Sequence, residues 1–456
     1  MAASPRAPLL ALALAACGDD VTAGATASSS ASSSSSASAG TVGDPTADAS
    51  GSDSAGTSAT ATASSSATSA ATTDAETGGP APDLGGPPPR LGERLYIGTG
   101  EYLATQDWHG ILRFDHSEAL DSAVDGPFTP DATVNVQASA DAGGTHLNFV
   151  HTIFVDDDAD ELYAGALFTT EAGMTCPMAS ECGSVAIFAG ASTMDGPQIV
   201  SRHLYGPKTG LLQPHGVWVD RSRDTLYVAN TFAGQLLAWE SASTVDGDLA
   251  PTRTLTWPEM GAPVFLYVDE PTDRAFVAVM PMIGGKRPGV LIYPSISTLD
   301  GVHPPTHRIQ GPSTRLEVGN QTTHNVWFIA EGELLVVAHH TNEVLIYDLS
   351  GLEWGATGPT QDHDLTPRVL EIHETADDQG KWSAYGIFYI RELDRLYVSA
   401  GYTPMGPAPN SPEHAVKIYE GVHDPRLAGQ VAPAREIRWT NVGQYFPPQP
   451  LWVTRE

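Results

Sequence analysis

Three histidines stand at equivalent positions in a repeated unit of this sequence. His151 and His215 each precede a turn aspartate by five residues, and the same alignment places His324 in a third copy. The corresponding positions in the other copies hold Val264, Tyr385 and Gln449. Neutral imidazoles are common zinc ligands, and three of them around an open coordination position can activate a water molecule.

Two interpretations of these histidines remain open from the sequence. In the first, the three imidazoles hold zinc or another transition metal, and the protein is a metal-dependent lyase or hydrolase. In the second, each histidine satisfies a loop carbonyl or contacts a neutral ligand, with Tyr385 and Gln449 lining the same site. Val264 and the lack of an obvious acid or base among the aligned positions favour the second interpretation.

The unit that carries these positions recurs six times. It is clearest at residues 215–229, where an apolar strand, a tight acidic turn and a second apolar strand follow one another. The second strands begin at Leu95, Leu162, Leu226, Ala275, Leu335 and Leu396. A third strand, a turn such as Ala242-Ser-Thr-Val-Asp-Gly and a more polar fourth strand come next. Four antiparallel strands in each unit predict an all-β fold built from propeller blades.

The two ends of the repeat region complement each other. Residues 91–98 supply a second strand that lacks a first, and residues 449–456 supply a first strand that lacks a second. Joined, they reproduce the unit that begins at His215. The sequence therefore predicts a six-bladed β-propeller over residues 89–456, with the first blade shared between the two ends so that no strand edge stays exposed.

The segments Pro214-His-Gly-Val-Trp-Val-Asp220 and Asp224-Thr-Leu-Tyr-Val-Ala-Asn230 resemble the repeat of NHL-type and related six-bladed propellers. The resemblance extends over most of the chain. Such propellers include enzymes, ligand sensors and passive scaffolds, so the resemblance implies the fold and not one activity. The zinc-dependent amidating lyase of this group is similar in using histidines at the central channel of the propeller. Here the three histidines fall in blades two, three and five rather than in alternate blades.

The N-terminal segment predicts export and attachment to a membrane. Residues 1–16 combine Arg6 with a short apolar run, as secretory signal peptides do. The run ends at Cys17 in a sequence that resembles the lipobox of bacterial lipoproteins, which implies cleavage before Cys17 and its acylation, for example with palmitate. An ordinary signal peptide with a chance cysteine is the alternative. Residues 17–88, rich in Ser, Thr and Ala, predict a disordered tether.

The cysteines and the net charge of the chain indicate a disulfide and limit the classes of partner that the protein can bind. Cys176 and Cys182 are separated by five residues, and in an exported protein such a pair favours a disulfide. The net charge of −31 argues against binding to nucleic acid. We therefore expect a monomer, anchored by lipid on the periplasmic or outer-surface side of the cell envelope. Its expected role is to bind or scaffold an unknown protein or small molecule, with the metal-dependent enzyme as the alternative.

Overall fold

The computed structural model describes the propeller region of the chain. The described stretches are residues 92–98, 110–135, 145–171, 183–281, 287–317, 323–339, 341–372, 382–402, 413–439 and 451–455. The predicted signal peptide and tether lie outside them.

The described residues form six β-sheets, one for each blade. The strands of the first half of the chain are β1 (Glu93–Gly98), β2 (Gly110–Phe114), β3 (Ala132–Asn135), β4 (Thr145–Asp156), β5 (Glu161–Glu171), β6 (Ser184–Ala189), β7 (Gly196–Pro197), β8 (Arg202–Leu204), β9 (Pro214–Asp220), β10 (Thr225–Asn230), β11 (Gln235–Glu240) and β12 (Arg253–Thr256). Those of the second half are β13 (Ala262–Asp269), β14 (Arg274–Met280), β15 (Gly289–Tyr293), β16 (Gly301–Val302), β17 (His307–Ile309), β18 (Thr323–Ile329), β19 (Leu334–His339), β20 (Glu343–Asp348), β21 (Gln361–His363), β22 (Arg368–Glu371), β23 (Trp382–Ile390), β24 (Arg395–Tyr402), β25 (Glu413–Glu420), β26 (Gly429–Gln430), β27 (Arg435–Arg438) and β28 (Leu451–Arg455).

Helical structure in these stretches is limited to single turns. One α-helical turn, α1, covers Ser122–Asp125. The 3₁₀ turns are Ser117–Ala119, Ala191–Thr193, Pro207–Thr209, Thr231–Ala233, Ala242–Thr244, Ile296–Thr298, Pro312–Thr314 and Arg391–Leu393.

Each blade has the predicted core of four antiparallel strands. In the third blade, β10 lies between β9 and β11, and β12 follows on the outside. Leu226 on β10 faces Val219 and Trp239, and all three side chains are buried. The fourth strand of this blade is partly exposed. Because the inner strands bury both of their faces, the hydrophobic core lies between neighbouring blades.

The first blade joins the two ends of the described chain. Strand β28 pairs antiparallel with β1, from Glu93 opposite Arg455 to Ile97 opposite Leu451. Blade six adds a second link, since Tyr397 and Arg395 on β24 both donate to the buried carboxylate of Glu93, at 2.5 Å and 3.1 Å. The predicted six-bladed ring with closure by the terminal strand is confirmed.

A second ring of contacts joins the blades at their outer rim, and the sequence did not predict it. The connection after the third strand of one blade pairs in parallel with the fourth strand of the preceding blade. These pairs are β7 with β3, β16 with β12, β21 with β17, and β26 with β22. Single bridges between Leu204 and Gly247 and between Phe128 and Trp439 occupy the two remaining positions. Four sheets therefore have five strands instead of the predicted four.

The acidic turns have structural partners within their own blades. Asp224, in the turn between β9 and β10, has left-handed backbone with φ 49°. Its carboxylate accepts hydrogen bonds from the backbone nitrogen and Oγ of Ser243, both at 2.7 Å. The pairs Asp160–Ser192 and Asp273–Ser297 repeat this arrangement. Short polar side chains that bond to nearby backbone in this way stabilise tight turns.

Candidate functional site

A β-bulge near the start of the innermost strand recurs from blade to blade. In five blades, the register between the first and second strands shifts at the position that the repeat alignment singles out. The residues left without an opposite partner are His151, His215, Val264, His324 and Tyr385. A bulge re-aims the side chain of its extra residue. Gln449, at the sixth position, lies outside the described residues.

The structure brings the three histidines together into what we call the histidine stack. The rings of His151 and His215 are nearly parallel, with centroids 4.1 Å apart and an interplanar angle of 16°. The ring of His324 lies 6.0 Å from that of His151 and is also stacked. Tyr385 meets His324 edge to face at 5.4 Å. Side chains at the aligned positions of blades two, three, five and six therefore lie in contact with one another.

The histidine stack is buried, and its members His151 and His215 are uncharged at neutral pH. Burial lowers the pKa of His151 from 6.5 to about 4. Burial, and then the neighbouring His151, lower the pKa of His215 well below its ordinary range. Nδ1 of His151 lies 3.3 Å from the carbonyl oxygen of His215, so this nitrogen carries the proton and Nε2 holds the lone pair.

The described residues contain no group of three or more His, Cys, Asp or Glu side chains placed to hold a metal ion. Stacking accounts for this at the histidines, because the lone pair of an imidazole lies in the plane of its ring and parallel planes direct their lone pairs along separate paths. Polar oxygens accompany the stack: Thr323 Oγ1 and Asn325 Oδ1 flank His324, are buried, and have no hydrogen-bond partner in the described part of the chain. Such atoms are suited to a polar ligand or to water.

A second set of side chains occupies the other end of the same strands. Three residues after each aligned position, roughly 10 Å further along the strand, every blade has an aromatic residue. The six are Phe154, Trp218, Tyr267, Trp327, Phe388 and Trp452. We call them the aromatic ring. Consecutive members are 4.4 to 5.4 Å apart between ring centroids and meet at steep angles all the way round, so the ring is closed.

The three tryptophans of the aromatic ring close the channel at this level. The centroids of Trp218, Trp327 and Trp452 are 5.7, 5.7 and 6.1 Å apart. Each centroid of a triangle of this size lies roughly 3.4 Å from its centre, which is about the contact distance of carbon atoms. The tryptophans therefore separate the histidine stack from the opposite end of the channel.

A pocket of about 530 Å³ opens on the outer side of the aromatic ring, on the face that bears the turns between first and second strands. We call it the turn-face pocket. All six aromatic residues line it, together with Val268 and Pro271. Its polar groups come from the turns of blades three and four and are Arg221, Ser222 and Glu270. The pocket is thus mostly apolar, with its polar groups on one side.

The two charged side chains of the turn-face pocket, Arg221 and Glu270, differ in their partners: Arg221 is close to several carboxylates, whereas Glu270 contacts a backbone N–H. Arg221 Nη1 lies 3.8, 3.1 and 3.6 Å from carboxylate oxygens of three consecutive aspartates, Asp156, Asp157 and Asp158. Glu270 Oε2 instead accepts a hydrogen bond from the backbone nitrogen of Ser222 at 3.2 Å. Burial raises the pKa of Glu270, and the Ser222 hydrogen bond lowers it in part.

Sequence reasoning found one end of the channel and missed the other. The signal for the aromatic ring is an aromatic residue at the same place in all six copies, which an alignment read only for histidines does not reveal. Cys17, Cys176 and Cys182 lie outside the described residues, so lipidation and the disulfide stay predictions. None of the helices in the described stretches is long and apolar enough to cross a membrane.

The comparisons with known proteins identify no family for this chain. No family model and no curated protein matches the chain. Among solved structures, it is similar to a proposed 6-phosphogluconolactonase of Bacteroides fragilis, with 11% identity, a TM-score of 0.45, and coverage of 82% of this chain and 99% of that one. The periplasmic gluconolactonase PpgL of Pseudomonas aeruginosa has 12% identity and a TM-score of 0.43, and the match covers 79% of this chain and 99% of that one. The β-propeller domain of Cps50 (Swd1) from Myceliophteria thermophila has 12% identity and a TM-score of 0.34, and the match covers 62% of this chain and 73% of that one.

The class of the protein follows from its own sheets. Six blades around a channel, closed by a terminal strand, make it a six-bladed β-propeller. At these identities the similarity does not extend to what the compared proteins bind or convert.

Proposed function

We propose that this protein is a lipid-anchored, exported binding module whose ligand occupies the turn-face pocket. The anchoring part of the proposal comes from residues 1–16 and Cys17, through their resemblance to bacterial lipoproteins. The binding part comes from the pocket.

One observation supports the binding part above all others. Every blade contributes an aromatic side chain at the same register, yet the closed ring leaves about 530 Å³ open beside it. Small-molecule sites in proteins have volumes of about 300 to 1,000 Å³ and apolar or aromatic walls with a few polar groups on one side. The turn-face pocket has this composition.

A neutral, environment-sensitive dye tests whether the pocket accepts an apolar molecule. We expect Nile red to bind one-to-one with a blue-shifted emission, and Ser222→Trp to abolish this binding by filling the pocket. Ser350→Trp is the matched control. Both serines are exposed and donate from Oγ to an aspartate two residues earlier, Ser222 to Asp220 at 2.7 Å and Ser350 to Asp348 at 2.6 Å. Equal binding by the two variants would remove the pocket as the site.

The metal-dependent lyase or hydrolase is a second candidate, favoured by the meeting of three histidines from different blades. A bound zinc ion would require these rings to rotate out of their stack. Metal analysis of protein purified without a histidine tag tests this candidate. Zinc near one equivalent that is lost in His215→Ala would support it, and a folded, metal-free protein would contradict it.

A further inference from the structure

We infer that the turn-face pocket takes a small organic cation, an apolar body carrying one positively charged nitrogen, with Glu270 as the counter-charge. This inference rests on the proposed function, because it assumes that the pocket is a ligand site, and it adds the chemical class of the ligand.

The first support is the state of Glu270. Its carboxylate lines the pocket and is only partly exposed. It accepts the backbone N–H of Ser222, and no Lys or Arg nitrogen of the described chain forms an ion pair with it. Burial raises the pKa of Glu270 overall, and the charge of Arg221 and its backbone N–H lower it only in part. A partly desolvated carboxylate without a cation in direct contact is stabilised by a positive group that enters the pocket. A positively charged ligand would therefore gain an ion pair that the protein itself does not supply.

The second support is the state of Arg221, the cation that lines the pocket. Its guanidinium is shared among Asp156, Asp157 and Asp158, so its charge is more than offset locally. An anionic ligand would have to compete with three carboxylates for one arginine. The nearby guanidinium of Arg391 is likewise paired, with Glu331. The pocket side that carries charge is therefore net negative.

The third support is the field around the pocket. Residues 90–456 carry 46 Asp and Glu against 22 Lys and Arg, a net charge of −24, and Asp269 immediately precedes Glu270. Clefts with low-dielectric walls focus such a field and raise the local concentration of ligands of opposite sign. The electrostatic field of the domain and the local pairing of Glu270 and Arg221 thus both favour a positively charged ligand.

The apolar walls define the rest of the ligand. The aromatic ring, Val268 and Pro271 offer no charge, and burying an apolar body against them is favourable at about 25 cal/mol for each Å² removed from water. A volume of about 530 Å³ accommodates an aromatic or branched aliphatic group attached to an ammonium. A fully hydrated metal cation would leave these walls unused.

Isothermal titration with three benzyl compounds tests the inference: benzyltrimethylammonium, neutral benzyl alcohol and anionic phenylmethanesulfonate. We expect the cation to bind more tightly than the other two, and high salt to weaken its binding. Glu270→Gln keeps an oxygen acceptor for the Ser222 N–H and removes the charge. It should weaken binding of the cation by about five- to tenfold, the size expected of one partly buried ion pair, and leave benzyl alcohol unaffected.

A second carboxylate on the same face separates a local contact from the general field. Glu392 does not line the pocket and lies 3.4 Å from Arg455. Glu392→Gln removes the same charge, so it should change cation binding by less than twofold. Equal binding of the three compounds, or equal effects of the two variants, would overturn the cation inference. If Nile red still bound in that case, the proposed function would stand; if neither dye nor benzyl compounds bound, both would fall.

Discussion

Trp452 offers a sharp test of how the ring is held together, because it belongs both to the closing strand and to the aromatic ring. It pairs opposite Tyr96 through β28 and packs on Phe154 at 4.4 Å and on Phe388 at 5.0 Å. Only 8% of its surface is exposed. Replacing a buried tryptophan with alanine costs about 3 to 5 kcal/mol, a large part of the 5 to 15 kcal/mol typical of a folded domain.

For a domain of this size, such a loss corresponds to a fall in melting temperature of roughly 4 to 7 °C. Thermal unfolding followed by circular dichroism measures it. Trp257→Ala is the control, since Trp257 is only partly buried at the edge of the core and has the Arg308 guanidinium 5.4 Å from its ring. We expect that variant to lose about 1 kcal/mol. The reasoning is refuted if Trp452→Ala unfolds no earlier than Trp257→Ala.

Three further predictions follow from the closure, the histidine stack and the N-terminal segment. Deleting residues 447–456 removes β28 and leaves the edge of β1 unpaired, so it should lower the melting temperature more than Trp452→Ala does; an unchanged value would contradict closure of the ring. Because burial lowers the pKa of His151 to about 4, the folded state holds the neutral ring. Its contribution is therefore complete above pH 6.5 and is lost as the pH falls from 6.5 toward 4, by roughly 3 kcal/mol. Denaturant unfolding across this range measures the loss, and His151→Gln should make the pH dependence shallower; an identical profile would show that other groups cause it. Finally, Cys17→Ser should abolish incorporation of labelled palmitate, and labelling that persists would disprove acylation at that residue.

The sequence could predict the elements that repeat with a fixed period. The motif Leu226-Tyr-Val-Ala and its copies mark the second strands, and the incomplete units at residues 91–98 and 449–456 indicate the closure. The alignment also identifies the bulged residues, including His151 and His324, because one extra residue on an inner strand recurs at the same distance from each turn.

The rest depends on contacts that leave little trace in a sequence. The outer ring of parallel pairs uses segments as short as Gly196–Pro197, and two residues have no periodicity to detect. That the histidines stack and do not converge on a point follows from backbone geometry at the bulges. The turn-face pocket also escapes prediction, because an aromatic residue on an apolar strand is usually part of a core, and only the arrangement of six leaves a space beside it.

The pairing of β1 with β28 also sets the order in which the molecule can fold. β1 is the first described strand and β28 is the last, so the first blade stays incomplete until nearly the whole chain has been synthesised. Contacts so distant in sequence form slowly. Until they form, β1 has an open edge that another chain can pair with, which makes incomplete products of this protein prone to aggregate. A ring that is protected on every side once finished is therefore vulnerable for most of its assembly.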